Sequence, residues 1–269
     1  MFFALSTLLL ALVLLAVVAG ATLAGLLVGR SLRDRHDGAA PSGHDVKESS
    51  GVLQGALLGF MGLVLAFGLS LALGRYESRR AAVVDDANTI GTAYLRAQTL
   101  PEPMRSRSLS LLVRYTDVET QVTHVVPGSQ AAHRLSAEAQ ALQRPLWSLN
   151  GQAIRSRPVA SAPRLYEESL NDMIDQQGVR EAGLGNRVPT EVLLLEVIGA
   201  ALAMFLLGLH VGVIGRSLTS VMLAAALVAA LLLVTFDLDR PTRGLIKISD
   251  APLTELRVSM DQPPAAGPR

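Results

Sequence analysis

The chain contains no cysteine among its 269 residues. Disulfide bonds, thiolate metal sites and a cysteine nucleophile are therefore excluded. A surplus of one charge is also missing, because 24 Lys and Arg residues stand against 23 Asp and Glu residues and leave a formal net charge of +1. A nucleic-acid partner would require a concentrated basic patch, so the composition argues against one.

Motifs of the common enzyme classes are missing as well. The chain has no Gly-rich phosphate loop with its Lys, no dinucleotide fingerprint, no paired zinc histidines on a helix and no nucleophile elbow. His36 and His44 lie in a polar segment near several aspartates. Two loop histidines without a rigid scaffold are usually solvated, so we predict no metal, no cofactor and no enzymatic activity.

Half of the residues are hydrophobic, and they gather in four long runs. Each run is long enough to cross a bilayer as a helix, for which about 20 residues suffice. The first run has no positively charged start and is about twice as long as the apolar part of a signal peptide, so we predict a retained span. The predicted fold class is all-α, a four-span transmembrane bundle, with spans at 2–28, 52–73, 192–214 and 218–236.

The second run continues without a proline into a charged segment, which predicts one long helix over 51–96. Small residues recur along its apolar half at intervals of three and four, and such a stripe lets another helix backbone approach closely. Shorter pairs of the same kind occur at Gly25 and Gly29 and at Gly208 and Gly212. The stripe consists of Gly51, Gly55, Gly59, Gly62, Ala66, Ser70 and Gly74.

The 112 residues at 76–187 carry thirteen Arg, no Lys and twelve acidic residues. Apolar residues at helical spacing predict helices over 104–122, over 131–150 with an interruption at Pro145, and over 164–177. No alternating strand pattern is present, so we predict a helical domain here. The predicted organisation is 1–50 (first span and polar loop), 51–75 (second span), 76–187 (helical domain), 188–236 (spans three and four) and 237–269 (C-terminal tail).

Positive residues near the span ends predict the orientation. With four spans, both termini and the helical domain lie on the same side of the membrane. Eight Lys and Arg residues lie near the span ends on that side and five on the other. Because cytoplasmic loops carry the excess of positive residues, we predict that the helical domain and both termini are cytoplasmic.

Two ionisable residues fall inside the third span, where a charge costs several kcal/mol. Glu196 and His210 are fourteen residues apart, so they lie on nearly the same helix face. They either form a polar path on that face or reach the membrane interface by snorkelling, since each lies about one turn from an end of the span.

Arginines at the exit of the second span admit two interpretations. Arg75 and Arg79 share a face, and Arg80 follows directly. In an oligomer around an axis, these residues would form a basic ring at a pore mouth, and such rings concentrate anions. Alternatively, they orient the span and bind anionic head groups.

Charged residues beyond the spans are candidates for structural ion pairs. Asp85 and Asp86 lie two to three turns beyond the second span and are available to arginines elsewhere in the domain, such as Arg180. A similar clasp is predicted at the foot of the fourth span, formed by Asp237, Asp239, Arg240 and Arg243.

Three stretches resemble the bestrophin-like family of bacterial membrane proteins, a domain of unknown function that is distantly similar to the bestrophin anion channels. They are RYESRRAAVVDDANTIGTAYLRA at 75–97, SLNDMID at 169–175 with Arg180, and DLDRPTRGLIKIS at 237–249. The resemblance implies several identical subunits that line one pore with their second span, in a bacterial inner membrane. Bulky apolar residues narrow such pores, which makes Phe60 and Phe67 the candidates here. The acidic calcium-binding cluster of the animal proteins has no equivalent after the fourth span.

The leading hypothesis is therefore a homo-oligomeric channel for small anions of the chloride type. Its second span would line the pore, and Arg75, Arg79 and Arg80 would form the charged mouth. The rival hypothesis is a membrane-anchored scaffold or sensory module without a pore. In that case the small-residue stripe would only pack helices within one subunit.

Overall fold

The computed structural model describes residues 6–36, 44–215, 218–240 and 242–265, with side chains described outside 35–36 and 44–54. These residues form eight α-helices and no strand, which confirms the all-helical class. The helices are α1 (Thr7–His36), α2 (His44–Ala97), α3 (Met104–Val122), α4 (Gln130–Ser156), α5 (Ser161–Gly185), α6 (Thr190–Ile214), α7 (Leu218–Leu238) and α8 (Ala251–Ser259).

Four helices are long and apolar enough to cross a membrane: α1, α2, α6 and α7. They coincide with the four apolar runs of the sequence, and the prediction of four membrane-spanning helices is confirmed. The single long helix predicted over 51–96 is also present, because α2 continues from its apolar half through Arg75 to Ala97 without a break.

The chain divides into two compact units. The membrane unit comprises residues 1–74 and 188–246, and the helical unit comprises residues 75–187 and 247–269. The helix α2 contributes to both, since its apolar half belongs to the first unit and its charged half to the second.

Interlocked glycines hold the membrane unit together. Its α1 packs along α6 and also contacts α7. Gly25 and Gly29 of α1 face the backbone of α6, and Gly208 and Gly212 of α6 face the backbone of α1. A Cβ atom on Gly212 would lie 2.5 Å from the carbonyl oxygen of Leu26. The two small pairs of the sequence are therefore each other's partners, and they let the two backbones touch.

A continuous apolar core fills the helical unit. Tyr115, Leu146, Tyr166 and Met173 are fully buried in it, together with Ile90 of α2. On α4 the buried residues recur at intervals of three and four, which is the pattern of one apolar helix face. This core accounts for the helical periodicity that the sequence displays between the second and third spans.

The helix α4 continues through Pro145, whereas the sequence predicts an interruption there. A proline inside a helix costs about 3 kcal/mol because it lacks an N–H and crowds the preceding turn. The buried face persists on both sides, with Ala139 and Leu142 before the proline and Leu146 and Leu149 after it. Burial of these side chains offsets the local cost, and the helix remains continuous.

Other boundaries also differ from the prediction. The helix α5 begins at Ser161 and ends at Gly185, so it is longer at both ends than the predicted 164–177. The polar loop predicted after the first span is partly helical, because α1 ends at His36 and α2 begins at His44. The side chains of these two histidines lie outside the described residues.

The tail contains a helix that the sequence pattern does not predict. Leu253 of α8 is fully buried in the core of the helical unit. Tyr94 of α2 donates a hydrogen bond from its hydroxyl to the carbonyl oxygen of Met260, with an O–O distance of 3.0 Å. The tail therefore packs against α3 and is hydrogen-bonded to α2.

Candidate functional site

From Gly55 onward, where its side chains are described, the apolar half of α2 packs within the membrane unit on one face. That face carries Met61, Leu65, Gly68 and Ala72, spaced by three or four residues, and Ala72 is fully buried. The thioether of Met61 lies against Gly199 of α6, where a Cβ atom would overlap it. The span of α2 is therefore attached to α6 along a narrow strip.

The small-residue stripe lies on the opposite face and is open. Ala66 and Ser70 are exposed. A Cβ atom added at Gly55, Gly59, Gly62 or Gly74 would meet no described heavy atom within 4 Å. Gly51 lies among the residues whose side chains are not described. Within the described residues, the stripe packs against no other helix of the same chain, so it is available to lipid or to a second copy.

Phe60 and Phe67 occupy a third face of the same helix. Their side chains are 61% and 66% exposed. They are seven residues apart, which places one about two turns above the other. Each directly follows a member of the small-residue stripe, and adjacent residues point about 100° apart on a helix. The bulky and small residues therefore do not compete for the same face of α2.

Glu196 of α6 is buried against Gly68 of α2. Its side chain is fully buried, and neither carboxylate oxygen has a hydrogen-bond partner among the described residues. A Cβ atom at Gly68 would overlap the carboxylate, so the glycine provides the space that the carboxylate occupies. His210 is half-buried and lies about 21 Å further along the same helix. The two predicted intramembrane polar residues are thus separate features.

The contact between the Glu196 carboxylate and Gly68 leads to a testable prediction. We expect Gly68→Ala to lower the free energy of unfolding by about 1–2 kcal/mol, because the new methyl group displaces the carboxylate. Chemical unfolding of the purified protein in detergent measures this change. Gly62→Ala, on the open face of the same helix, is the matched control and should be neutral or stabilising, since alanine favours the helix. In a Glu196→Ala background the cost of Gly68→Ala should vanish; an unchanged cost would exclude the contact as its cause.

The exit arginines of α2 are placed differently from one another. Arg79 is 3% exposed, and its guanidinium donates to the carbonyl oxygens of Gly183 at 3.2 Å and of Asn186 at 2.5 Å. Arg75 donates to the side-chain oxygen of Asn186. These acceptors lie at the carboxyl end of α5, where carbonyl groups lack helical partners and the helix dipole is negative. Arg75 and Arg79 therefore cap α5.

Arg80 does not share this arrangement. Its side chain is 63% exposed and forms an ion pair with Glu77, with 3.6 Å between the charged atoms. An exposed pair of this kind contributes little to stability. Of the three arginines, Arg80 is the most exposed to solvent, since Arg75 is half-buried and Arg79 is buried.

A buried charged cluster joins three helices of the helical unit. Arg180 of α5 contacts Asp86 of α2, at 2.6 Å, and Glu119 of α3. Asp85 is exposed and lies outside the cluster. The sequence analysis does not single out Glu119. Its spacing is the signal that points to it, because it follows the buried Leu112 and Tyr115 at helical intervals and thus occupies a core position.

The family model of the bestrophin-like domain matches residues 15–253 of this chain. The chain belongs to the bestrophin-like family. The matched range includes the three stretches that carry the resemblance in the sequence, and with them the arginine cap of α5, the buried cluster and the foot of α7. None of the curated proteins matches the chain in sequence.

Solved structures of bacterial bestrophin homologues share the fold of this bestrophin-like chain. Two crystal structures of variants of a homologue from Klebsiella pneumoniae superpose with TM-scores of 0.65 and 0.63, each at 14% sequence identity. The alignments cover 91% and 90% of this chain and 96% of each homologue. A crystal structure described as a membrane protein superposes with a TM-score of 0.64 at 13% identity, covering 90% of this chain and 97% of that one.

The foot of α7 in this bestrophin-like protein binds backbone groups of its own unit. The carboxylate of Asp239 accepts the N–H of Val188 at 3.1 and 3.2 Å, just before α6 begins. Asp237 accepts the N–H of Ile246 at 2.8 Å. Arg240 is buried, whereas Arg243 is exposed and its carbonyl oxygen accepts a hydrogen bond from Thr7. The segment thus ties the start of α6 and the chain after α7 to one end of the membrane unit.

Proposed function

We propose that this bestrophin-like protein is the subunit of a homo-oligomeric channel for small anions, in which α2 lines the path. The observation that carries the proposal is the one-sided packing of α2 in the membrane unit. One face is attached to α6, and the others present Phe60, Phe67 and the small-residue stripe without a partner among the described residues. This arrangement suits a helix that completes its surroundings with copies of itself.

The packing of the membrane unit supports an oligomer. The helices α1 and α6 touch backbone to backbone at their glycines, which leaves no space for water between them. An ion path would therefore be shared between copies of the chain. In such a ring, Phe60 and Phe67 would face the axis as apolar constrictions, which gate by excluding water. The small-residue stripe would then receive the helix of the neighbouring copy.

Anion preference would come from the exit of α2. Arg80 is the proposed mouth residue, because its guanidinium is exposed. Arg75 and Arg79 are engaged with the carboxyl end of α5, so they would act on a passing ion only through their field. Basic residues at a channel mouth raise the local anion concentration. In this proposal the helical unit and both termini lie in the cytoplasm, the membrane is the bacterial inner membrane, and the protein catalyses no reaction.

Chloride efflux from liposomes tests the proposal. We expect liposomes that contain the purified protein to release chloride faster than they release sodium. The double variant Phe60→Ala/Phe67→Ala should raise chloride efflux about tenfold, since removing the apolar constriction lowers the barrier by about 1.4 kcal/mol. The matched control is Leu223→Ala/Leu227→Ala on α7, where both side chains are 72% exposed. The control should leave efflux unchanged.

Two outcomes would contradict the channel. A correctly inserted oligomer that releases no chloride in either form would favour the scaffold or sensory alternative. A protein that is strictly monomeric in mild detergent would do the same, because one chain does not enclose an ion path. Equal increases in the Phe60/Phe67 variant and in the Leu223/Leu227 control would exclude the phenylalanines as the constriction.

A further inference from the structure

The buried cluster of Asp86, Glu119 and Arg180 has an unbalanced charge. The three side chains are 0%, 2% and 3% exposed. One terminal nitrogen of Arg180 contacts both carboxylates, and the other donates to the backbone carbonyl oxygen of Glu119 at 2.9 Å. Two ionised carboxylates and one guanidinium would leave one uncompensated negative charge inside the helical unit.

Each carboxylate has one oxygen that accepts no hydrogen bond from the described residues. Asp86 Oδ1 and Glu119 Oε1 are buried, and neither has a hydrogen-bond partner among the described residues. A buried, uncompensated carboxylate is costly, and binding a proton removes the cost. One proton makes the whole cluster neutral, while the guanidinium still holds the remaining carboxylate.

Among the described residues, the groups that surround the cluster supply no second positive charge. On α3 the titratable neighbour is Tyr115, whose pKa is raised by burial, so its hydroxyl stays neutral. On α5 the neighbour is Glu181, an exposed carboxylate that adds to the negative potential at Glu119. From α4 the group that approaches is Gln143, which is uncharged and bonds to Gln177. The described surroundings therefore favour uptake of a proton.

We propose that this cluster is a proton-binding clasp that joins α2 to α3 and α5 when it carries one proton shared by Asp86 and Glu119. Loss of the proton leaves an uncompensated charge in the core and loosens the three helices. The clasp is a pH-sensitive device of the helical unit. It does not depend on whether α2 lines a pore, so it can fail or hold independently of the proposed function.

The relevant pH range follows from the two carboxyl groups. Burial raises the pKa of Asp86 and raises the pKa of Glu119 to about 7, with Arg180 opposing the shift in both cases. The pKa of an unfolded glutamate is about 4.3. Because the folded state holds the proton more tightly, this stabilisation is complete below about pH 4 and is lost as the pH rises through about 7.

Thermal unfolding of the full-length protein in detergent, measured from about pH 5 to about pH 8, tests the clasp. We expect the melting temperature of the wild-type protein to fall by about 5 °C over this range. Glu119→Gln and Asp86→Asn should each flatten the curve, because either change leaves one carboxylate with one guanidinium. Glu138→Gln, an exposed glutamate on α4, is the matched control and should keep the wild-type slope.

Infrared spectroscopy provides a second readout. Because Glu196 is also buried without a hydrogen-bond partner among the described residues, the measurement uses a Glu196→Gln background. In that background the protein should show the C=O stretching band of a protonated carboxylic acid at neutral pH, and the band should disappear on alkalinisation. With Glu119→Gln or Asp86→Asn added, the band should be absent near pH 7. A wild-type melting temperature that is independent of pH, or a slope that both single variants retain, would overturn the proposal, as would the absence of the band.

Discussion

Replacing Gly25 by leucine is expected to force α1 and α6 apart and to lower the free energy of unfolding by about 3 kcal/mol. A Cβ atom at this position would overlap the carbonyl group of Phe205 and lie 2.9 Å from the backbone nitrogen of Leu209. These obstacles are backbone atoms of a helix, so no side-chain rotation relieves the overlap. The effect should therefore lie at the upper end of the cost of overpacking.

Gly20→Leu is the control for this substitution. Gly20 lies on the same helix and is exposed, and a Cβ atom added there would meet no described heavy atom within 4 Å. The change should be neutral or slightly stabilising, since leucine favours the helix and the site faces outward. Unfolding by detergent titration, together with the yield of properly inserted protein, measures both variants. Equal stability of the two would refute the backbone contact between α1 and α6.

Replacing Arg180 by methionine is expected to cost about 3–5 kcal/mol, since removing one partner of a buried ion pair leaves uncompensated charge. Here Asp86 and Glu119 would face each other without the guanidinium that contacts both. The loss should be smaller at low pH, where both carboxyls are protonated, and larger at high pH. Denaturant unfolding of the purified protein at acidic and at alkaline pH measures the difference.

Arg164→Met is the matched control, because Arg164 is an exposed arginine near the start of α5. It should change stability by about 0.5 kcal/mol or less. Adding Glu119→Gln and Asp86→Asn to Arg180→Met should recover much of the lost stability, since the three positions of the cluster then carry no charge. A cost that persists unchanged in the triple variant would mean that Arg180 acts through its packing and not through its charge.

The membrane helices of this protein could be predicted from local composition. Length and hydropathy alone specify that a segment of about 20 apolar residues spans a bilayer, and the absence of proline specifies that α2 continues as one helix. The exact limits of α3 follow from its local periodicity in the same way. These features depend on residues that are neighbours in the chain.

Features that depend on residues far away in the sequence can be predicted less completely. The helix α8 is short, and its stability comes from the burial of Leu253 in a core made by other helices. The continuity of α4 through Pro145 likewise depends on the face that Leu142 and Leu146 bury. The local sequence predicts no helix in the tail and an interruption of α4 at Pro145. In both places the stabilisation from tertiary packing outweighs the local preference.

The order of residues along the chain is enough to establish that it crosses a membrane, that its second helix is long, and that two glycine pairs mark positions of close helix approach. It does not reveal that these pairs meet each other, that Arg79 caps α5, or that Glu119 shares Arg180 with Asp86, and these contacts emerge only in the folded molecule. The difference arises because a spacing defines a helix face, whereas the partner of that face lies on another segment. Which segment packs against a given helix face is decided in the tertiary structure, because only there do the two faces come into contact.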